Sequence, residues 1–336
     1  MATIYDVAKR ARVSTATVSA VLNGTAYVSP ELTSRVNEAV KELDYTINAI
    51  ARGLQTRRTN MIGMLVPDIA EPVYSVMVKG VESGLKTAGC SLLIASTHNQ
   101  VEEQSRYLRM LRSKQVDGML ALLAFGDESE LAEMVAAKRP LVFIARRPTF
   151  EADCVLVDNV GATTEAVSYL LGKGRRRVGL IVGPRSLAVS QDRIAGWRKA
   201  HQQHGVPADE ALIAEGDYTS ESGEAAMEAF LRLEQPPDAV FATGFLMMTG
   251  CLGLLRARGI AVPDSVELMT WSDSPLLDVF DPPVSTIQQP SYEMGVRAAE
   301  LVLSRIENPD ASPTTIILPA ELRIRTPRAP AGVQVR

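Results

Sequence analysis

Few of the groups that could do chemistry stand at catalytic spacing. Gly172-Lys173-Gly174 lacks the Gly-x-x-x-x-Gly-Lys-Ser/Thr frame in which backbone amides cradle a phosphate. The GLIVGP run beginning at Gly179 lacks the glycine fingerprint of a dinucleotide site. His201 and His204 are three apart on a helical pattern, which can offer two ligands to a metal. No third ligand accompanies them, so the expectation is surface histidines and no metal. No serine sits in a nucleophile elbow, and Glu102-Glu103 falls on a solvated helical pattern. Cys90, Cys154 and Cys251 lie singly in or beside apolar runs, as reduced core thiols of a cytoplasmic protein do. Neither an enzyme nor a cofactor is expected.

Recognition is better represented. Thr15, Ala16, Thr17, Ser19 and Ala20 form a helix face that is small and partly hydroxylated. Such a face cannot cover a core, but it can approach base edges and phosphates closely. An ordinary helical hairpin fits the same pattern. A second set, Asp68, Tyr74, His98, Arg146, Phe245 and Asp273, lies in loops directly after strand-like apolar runs. Ligands of open parallel sheets sit beyond the carboxyl ends of the strands. Singly these residues read as solvated loop side chains. Their common placement suits two lobes that close on a small molecule.

The elements that must hold the first set are short. Thr3 is a good N-cap, with Asp6 placed to return the bond, and Ile4, Val7 and Ala8 share a face. Ser14 can cap a second helix whose Val18, Val21 and Leu22 point inward, and Asn23-Gly24 stops it. Ser29-Pro30-Glu31 starts a third, with Leu32, Val36, Val40 and Leu43 as its buried stripe. Asn48 to Arg58 reads as a marginal helix of two to three turns, weakened by Gly53, that orders only when something holds it.

From Met61 strand and helix patterns alternate, the signature of a parallel sheet covered by helices. Apolar runs at 62–66, 92–95, 118–123, 141–145 and 155–157 form one series. Runs at 178–182, 212–214, 239–242 and 266–270 form another, and a helix near 294–306 with strands at 315–318 and 322–324 follows. Of 336 residues 46% are apolar, ample for sizeable cores, and no apolar run approaches 18 residues. A net charge of −4 argues against nucleic acid until its distribution is read. Residues 1–60 carry +3 and the remainder −7, a basic head on an acidic body.

These features converge on a resemblance. DVAKRARVSTATVS, VLN, VSPELTSRV, KELDY and NAIARGL, then MIGMLVPDIAEPVY, QVDGML, VDN, RRVGLIVGP, DRIAGW, GIAVPDSVEL and STIQQP, span nearly the whole chain. In this colinear set the sequence strongly resembles the LacI/GalR family of bacterial transcription regulators. The resemblance implies an α/β protein with an N-terminal helix-turn-helix headpiece and two doubly wound parallel-sheet lobes, similar to periplasmic binding proteins. It divides the chain into a headpiece at 1–46, a hinge helix and linker at 47–60, a first lobe from 61–160 with 289–327, and a second lobe at 161–288. Three crossings between lobes are implied, near 160, 288 and 320.

The resemblance also assigns roles. Operator DNA of pseudopalindromic sequence is expected to meet Thr3, Tyr5, Ser14, Thr15, Ala16, Thr17, Ser19, Ala20 and Asn23 of the head, and Asn48, Ala51, Leu54 and Gln55 of the hinge, where Leu54 matches the family's minor-groove wedge. The small-molecule effector is expected to meet Tyr74, Ser75, Arg146, Leu187, Val189, Arg193, Phe245 and Asp273. Two departures qualify that site. Gly244-Phe245 replaces the usual Asn-Asp, and Leu187 and Val189 are apolar where polar contacts are common. Two arginines with one carboxylate fewer describe a neutral-sugar site poorly and suit a sugar acid, another carboxylate or an aromatic ligand. The expected protein is a cytoplasmic repressor, a homodimer with the tetramer as alternative, making no membrane contact. A two-lobed sugar-binding protein of sensing or transport type is the alternative. It would need a signal peptide and no head, whereas this chain opens directly on a capped helix.

Overall fold

A reciprocal cap sets the first helix. In the computed structural model, which describes residues 2–24, 26–45, 58–124, 126–272 and 274–326, α1 is Ile4–Ala11. The amide of Asp6 donates to Thr3 Oγ1 at 3.3 Å, and the amide of Thr3 donates to Asp6 Oδ2 at 2.8 Å. Ser14 caps α2 (Thr15–Asn23), Gly24 ends it at φ +63°, and Ser29 caps α3 (Pro30–Glu42). Val7, Ala8, Ala11, Val18, Val36 and Ala39 form the small core of this unit, which extends over Met1–Thr59. The expected stripe of α3 needs one correction. Of the four only Val36 is fully buried; Leu32, Val40 and Leu43 are half-buried, and Ala39 takes an innermost place, because a methyl side chain lets α3 approach its neighbour closely. The tight turn after α1 runs through Arg12 at φ +52°. Arg35 from α3 donates to the carbonyls of Ala11 (2.5 Å) and Arg12 (3.2 Å), satisfying acceptors that a helix end leaves open.

Asn60–Arg336 form the second unit, built on two six-stranded sheets among the described residues. The first takes β1 (Met61–Val66), β2 (Ser91–Ser96), β3 (Gly118–Ala121), β4 (Leu141–Ile144) and β5 (Asp153–Val157), between which run α4 (Pro72–Lys86), α5 (Val101–Ser113) and α6 (Ser129–Ala136). The chain then passes through α7 (Asn159–Gly172) into the second sheet, with β6 (Val178–Val182), α8 (Ala188–His204), β7 (Ile213–Glu215), α9 (Ser220–Leu231), β8 (Ala239–Ala242), α10 (Phe245–Ala257), β9 (Glu267–Trp271) and β10 (Ser285–Gln288). It returns for α11 (Ser291–Glu307) and β11 (Thr315–Leu318) and ends in β12 (Glu321–Arg323). Strand orders are β11-β5-β4-β3-β1-β2 and β12-β10-β9-β8-β6-β7. Among the described residues every strand pairing is parallel except β10 with β12.

Two details differ from the sequence reading. β12 pairs with β10, so residues 321–323 belong to the second sheet and the first lobe does not reach 327. β10 has Ile287 as its only apolar residue, so no apolar run marks it, although Ser285, Thr286 and Ile287 are all buried. The return of α11 to the first lobe is fixed by backbone contact with α4. A Cβ on Gly80 would stand 2.0 Å from Tyr292 O, and one on Gly295 would stand 2.1 Å from Met77 O. Only glycine on both helices permits that approach.

Candidate functional site

The carboxyl ends of both sheets face a cavity of about 600 Å³, within the range that holds a small metabolite. Arg146, just after β4, and Arg193, on α8, line it from different lobes, and each is only 6% exposed. Their guanidinium groups are held differently. Arg193 donates from Nε to Asn159 Oδ1 (3.1 Å) and from Nη1 to the Thr243 carbonyl (3.0 Å), and lies 4.0 Å over the Trp271 ring. These contacts leave Nη2 for a ligand. Trp271 is itself fixed, its indole N–H donating to Gln289 Oε1 at 2.8 Å. Arg146 donates from Nη1 to Asn99 Oδ1 at 3.0 Å and to the Leu123 carbonyl, and sits 5.6 Å from the Tyr218 ring centroid. Burial pushes the Tyr74 phenol up to about 12, with Glu71 and Tyr218 adding to the rise and both arginines opposing it. Tyr74 therefore stays a neutral hydrogen-bonding group at physiological pH. Burial lowers Arg193 too, but an arginine starts high enough to remain charged.

Backbone strain gathers at the same place. Non-glycine residues at positive φ include His98 (51°), Asn99 (58°), Ala145 (62°) and Tyr218 (69°), and all four line the cavity. Each such residue costs about 1–3 kcal/mol, so their clustering marks the loops as shaped for something other than stability.

Of the positions expected to meet an effector, Tyr74, Arg146, Val189 and Arg193 line the cavity. The others do not all follow. Ser75 is exposed on α4 and bonds back to the Pro72 carbonyl at 2.8 Å. Leu187 lines an adjoining cavity of about 910 Å³ with Arg147 and Gln191, because it precedes α8 on the far side of Val189. Phe245 turns into the core of the second lobe and packs at 6.0 Å on Phe280, so its side chain is not a cleft wall. Asp273 lies outside the described residues. The missing carboxylate also has a substitute, since buried Glu71 lines the cavity. Asn99, Asn159, Tyr218, Trp271 and Gln289 were not singled out from sequence. All lie at or just after strand ends, and applying the strand-end rule to every strand would have found them. Tyr218 also accounts for Gly244, whose Cβ would meet its ring at 2.9 Å, as a Cβ on Gly183 would at 2.2 Å.

The histidine reading also changes. His204 is exposed, but His201 is 1% exposed, its ring 4.0 Å from Trp197 and its Nδ1 2.9 Å from the Trp197 carbonyl. His201 is a core residue, while His204, one turn on, reaches solvent. Burial pushes the Cys154 and Cys251 thiols up to about 11 and about 12, so neither is a reactive thiolate.

In the first unit the residues expected at DNA stand off the core. Thr3, Tyr5, Ser14 and Ala16 are exposed, and Thr15, Thr17, Ser19 and Ala20 are half-exposed. Tyr5 is 74% exposed, so its ring is available to a partner surface. Ser14 Oγ accepts from the Thr17 amide at 3.1 Å and lies 2.9 Å from Thr17 Oγ1, so these hydroxyls are already organised at the start of α2. Asn23 ends α2, and nothing is described of its side chain; Asn48, Ala51, Leu54 and Gln55 lie outside the described residues.

Residues 3–48 match the family model described as bacterial regulatory proteins, lacI family, and residues 167–326 match a periplasmic binding protein-like domain. The HTH-type transcriptional repressor CytR of Escherichia coli (strain K12) is 33% identical over 331 residues, covering 96% of this chain and 95% of that protein. A transcriptional regulator CelR–cellobiose complex is similar at 33% identity and a TM-score of 0.73, over 97% of this chain and 99% of that one. The lac repressor dimer bound to operator and the anti-inducer ONPF shares the fold at a TM-score of 0.85 and 24% identity, over 97% and 98% of the two chains.

Proposed function

The chain belongs to the LacI family of bacterial regulatory proteins, as an effector-controlled DNA-binding repressor, and from that premise we propose that its effector is a small anion held between two arginines. The observation that carries this reading is the pair of buried guanidinium groups, Arg146 and Arg193, brought from two lobes to one cavity. Burying two like charges is expensive, and of the carboxylates that line the cavity only Glu71 is buried with them, so an anionic ligand would complete their compensation. The CelR relative is named as a complex with cellobiose, which supports a sugar-like body for the ligand. Tyr74, Tyr218 and Trp271 supply flat walls for such a body. A sugar acid, or another compact carboxylate with hydroxyls, combines the two demands.

In this reading Arg193 donates to the acidic group from Nη2 and Arg146 faces it from the first lobe, so occupancy favours the closed cleft. The cleft binds without turnover, as expected of relatives that are repressors. Closure then biases how a homodimer presents two α2 helices to the half-sites of a pseudopalindrome, with Leu54 of each hinge entering the central minor groove. Such a protein works in the cytoplasm, where the chromosome is. Among the described residues no helix is long and apolar enough to cross a membrane.

Calorimetric titration with D-glucuronate and with D-glucose tests the effector class. Arg193→Ala should weaken D-glucuronate by roughly ten- to a hundredfold, the value of one charge-assisted hydrogen bond, while operator binding persists. Tight binding of the neutral sugar that loses nothing in Arg193→Ala would sink the anion reading.

A further inference from the structure

Glu71 stands immediately before α4, where a side chain ordinarily caps its own helix, yet it makes no such bond. Its carboxylate instead crosses the cleft, and the Phe245 amide donates to Glu71 Oε1 at 3.1 Å. That amide is the first of α10, in the other lobe. α10 has glycine at its N-cap, no side-chain cap and no acidic residue in its first turn. Nothing in its own sequence therefore answers the open amides and partial positive charge of its N-terminus. Glu71 does so from the opposite lobe while 8% exposed. Beside this contact, Thr243 lines the cavity at 2% exposed, and its Oγ1 has no hydrogen-bond partner. The same residue's carbonyl holds Arg193. A hydroxyl left unsatisfied in a residue that lines the cavity carries a desolvation cost that a ligand atom would relieve once the wall adjusts to admit it.

We propose that Glu71 competes with the effector for one anion subsite, the N-terminus of α10. An acidic group of the effector displaces the Glu71 carboxylate from the N-terminus of α10 and takes Arg193 and the Thr243 hydroxyl as further partners. The proposal rests on the anion reading above and adds a regulator to it. Glu71 is an internal competitor, so apparent affinity falls by the fraction of time the subsite is self-occupied. The threshold for response is thereby written into one side chain. A neutral ligand would not compete for that position.

Full-length wild type, Glu71→Gln, Glu71→Ala and Thr243→Val test this with two readouts. Hydrogen exchange of the peptide covering residues 243–250 should speed up by about tenfold or more at the Phe245 amide in Glu71→Ala, as one protecting bond is lost. Sodium acetate, a free copy of the lost carboxylate, should restore the protection. D-glucuronate should bind both Glu71 variants at least about tenfold more tightly than wild type, while D-glucose is unchanged. Thr243→Val, which keeps the shape and removes the hydroxyl, should weaken D-glucuronate. Glu71→Gln guards against a folding defect, since it preserves side-chain size. Unchanged exchange in Glu71→Ala, or exchange that acetate does not slow, would overturn the proposal. So would D-glucuronate affinity that stays level or drops in both Glu71 variants while Arg193→Ala still weakens it, and that result would leave the anion reading standing. If D-glucuronate binds no variant, the acetate rescue alone decides whether the α10 N-terminus is an anion subsite.

Discussion

His201 shows how far a single residue can depart from its sequence context. At i+4 from Trp197 it lies against the indole, and its Nε2 is buried without a hydrogen-bond partner. Burial holds the imidazole below its ordinary value, with His204 adding to the effect and the Trp197 carbonyl opposing it. The folded value is therefore lower than the unfolded one. Stability from the neutral ring is complete above the ordinary imidazole value of about 6.5 and is lost as pH falls through the folded value. Thermal melts of wild type from pH 7.5 to 5 should show a falling midpoint, and His201→Leu should flatten that slope. Equal slopes would mean that the ring charges without cost. Phe245 makes the same point from the opposite side. Its side chain is core and only its amide reaches the cleft, so Phe245→Asp would bury a charge in the second lobe rather than alter ligand choice.

At the scale of elements, α2 separates what folds it from what it is for. Ser14 and Gly24 close its ends and Val18 anchors it, while Ala16 stands exposed in its first turn. Ala16→Asp places a carboxylate where the helix dipole favours one, so the unit should remain as stable as wild type or gain slightly. The same carboxylate would face DNA phosphates and base edges. Operator binding measured by fluorescence anisotropy should vanish while the melting curve is retained. An operator affinity within a few-fold of wild type would remove α2 from the DNA-reading surface.

For the whole molecule the decisive feature is the return of the chain after its second sheet. α11 packs on α4 through facing glycines and is tied to β5 by Arg305, which donates to both oxygens of Asp153 at 2.6 and 2.9 Å. Asp153 also accepts the Thr314 amide at 2.8 Å, so one buried carboxylate joins residues from before and after the second lobe. Arg305→Ala leaves that carboxylate uncompensated, at a cost of about 3–5 kcal/mol. Chemical denaturation should show the loss in the transition of the body. A change below about 1 kcal/mol would mean that water replaces the guanidinium freely.

The sequence alone determined the helix caps and the order of most elements. Thr3 with Asp6, Ser14 with Gly24, and Ser29 with Pro30 each mark a helix boundary through a bond made within a few residues, and fully buried parallel strands show as unbroken apolar runs. Arg146 and Tyr74 of the cleft were legible for a related reason, since strand ends are visible and ligands gather there, whereas Arg193, inside α8, was legible only through the family resemblance. Tertiary structure decided what depends on partners far along the chain. β10, nearly without apolar residues, is a strand because β9 and β12 flank it. Gly244 is glycine because the Tyr218 ring passes over it, and Phe245 points inward because the core of the second lobe receives it. Glu71 caps a helix 174 residues away because the lobes bring an uncapped N-terminus within hydrogen-bonding reach. Local bonding can be read from neighbours in sequence, but a side chain's task across a cleft is set by whichever group the fold places opposite it.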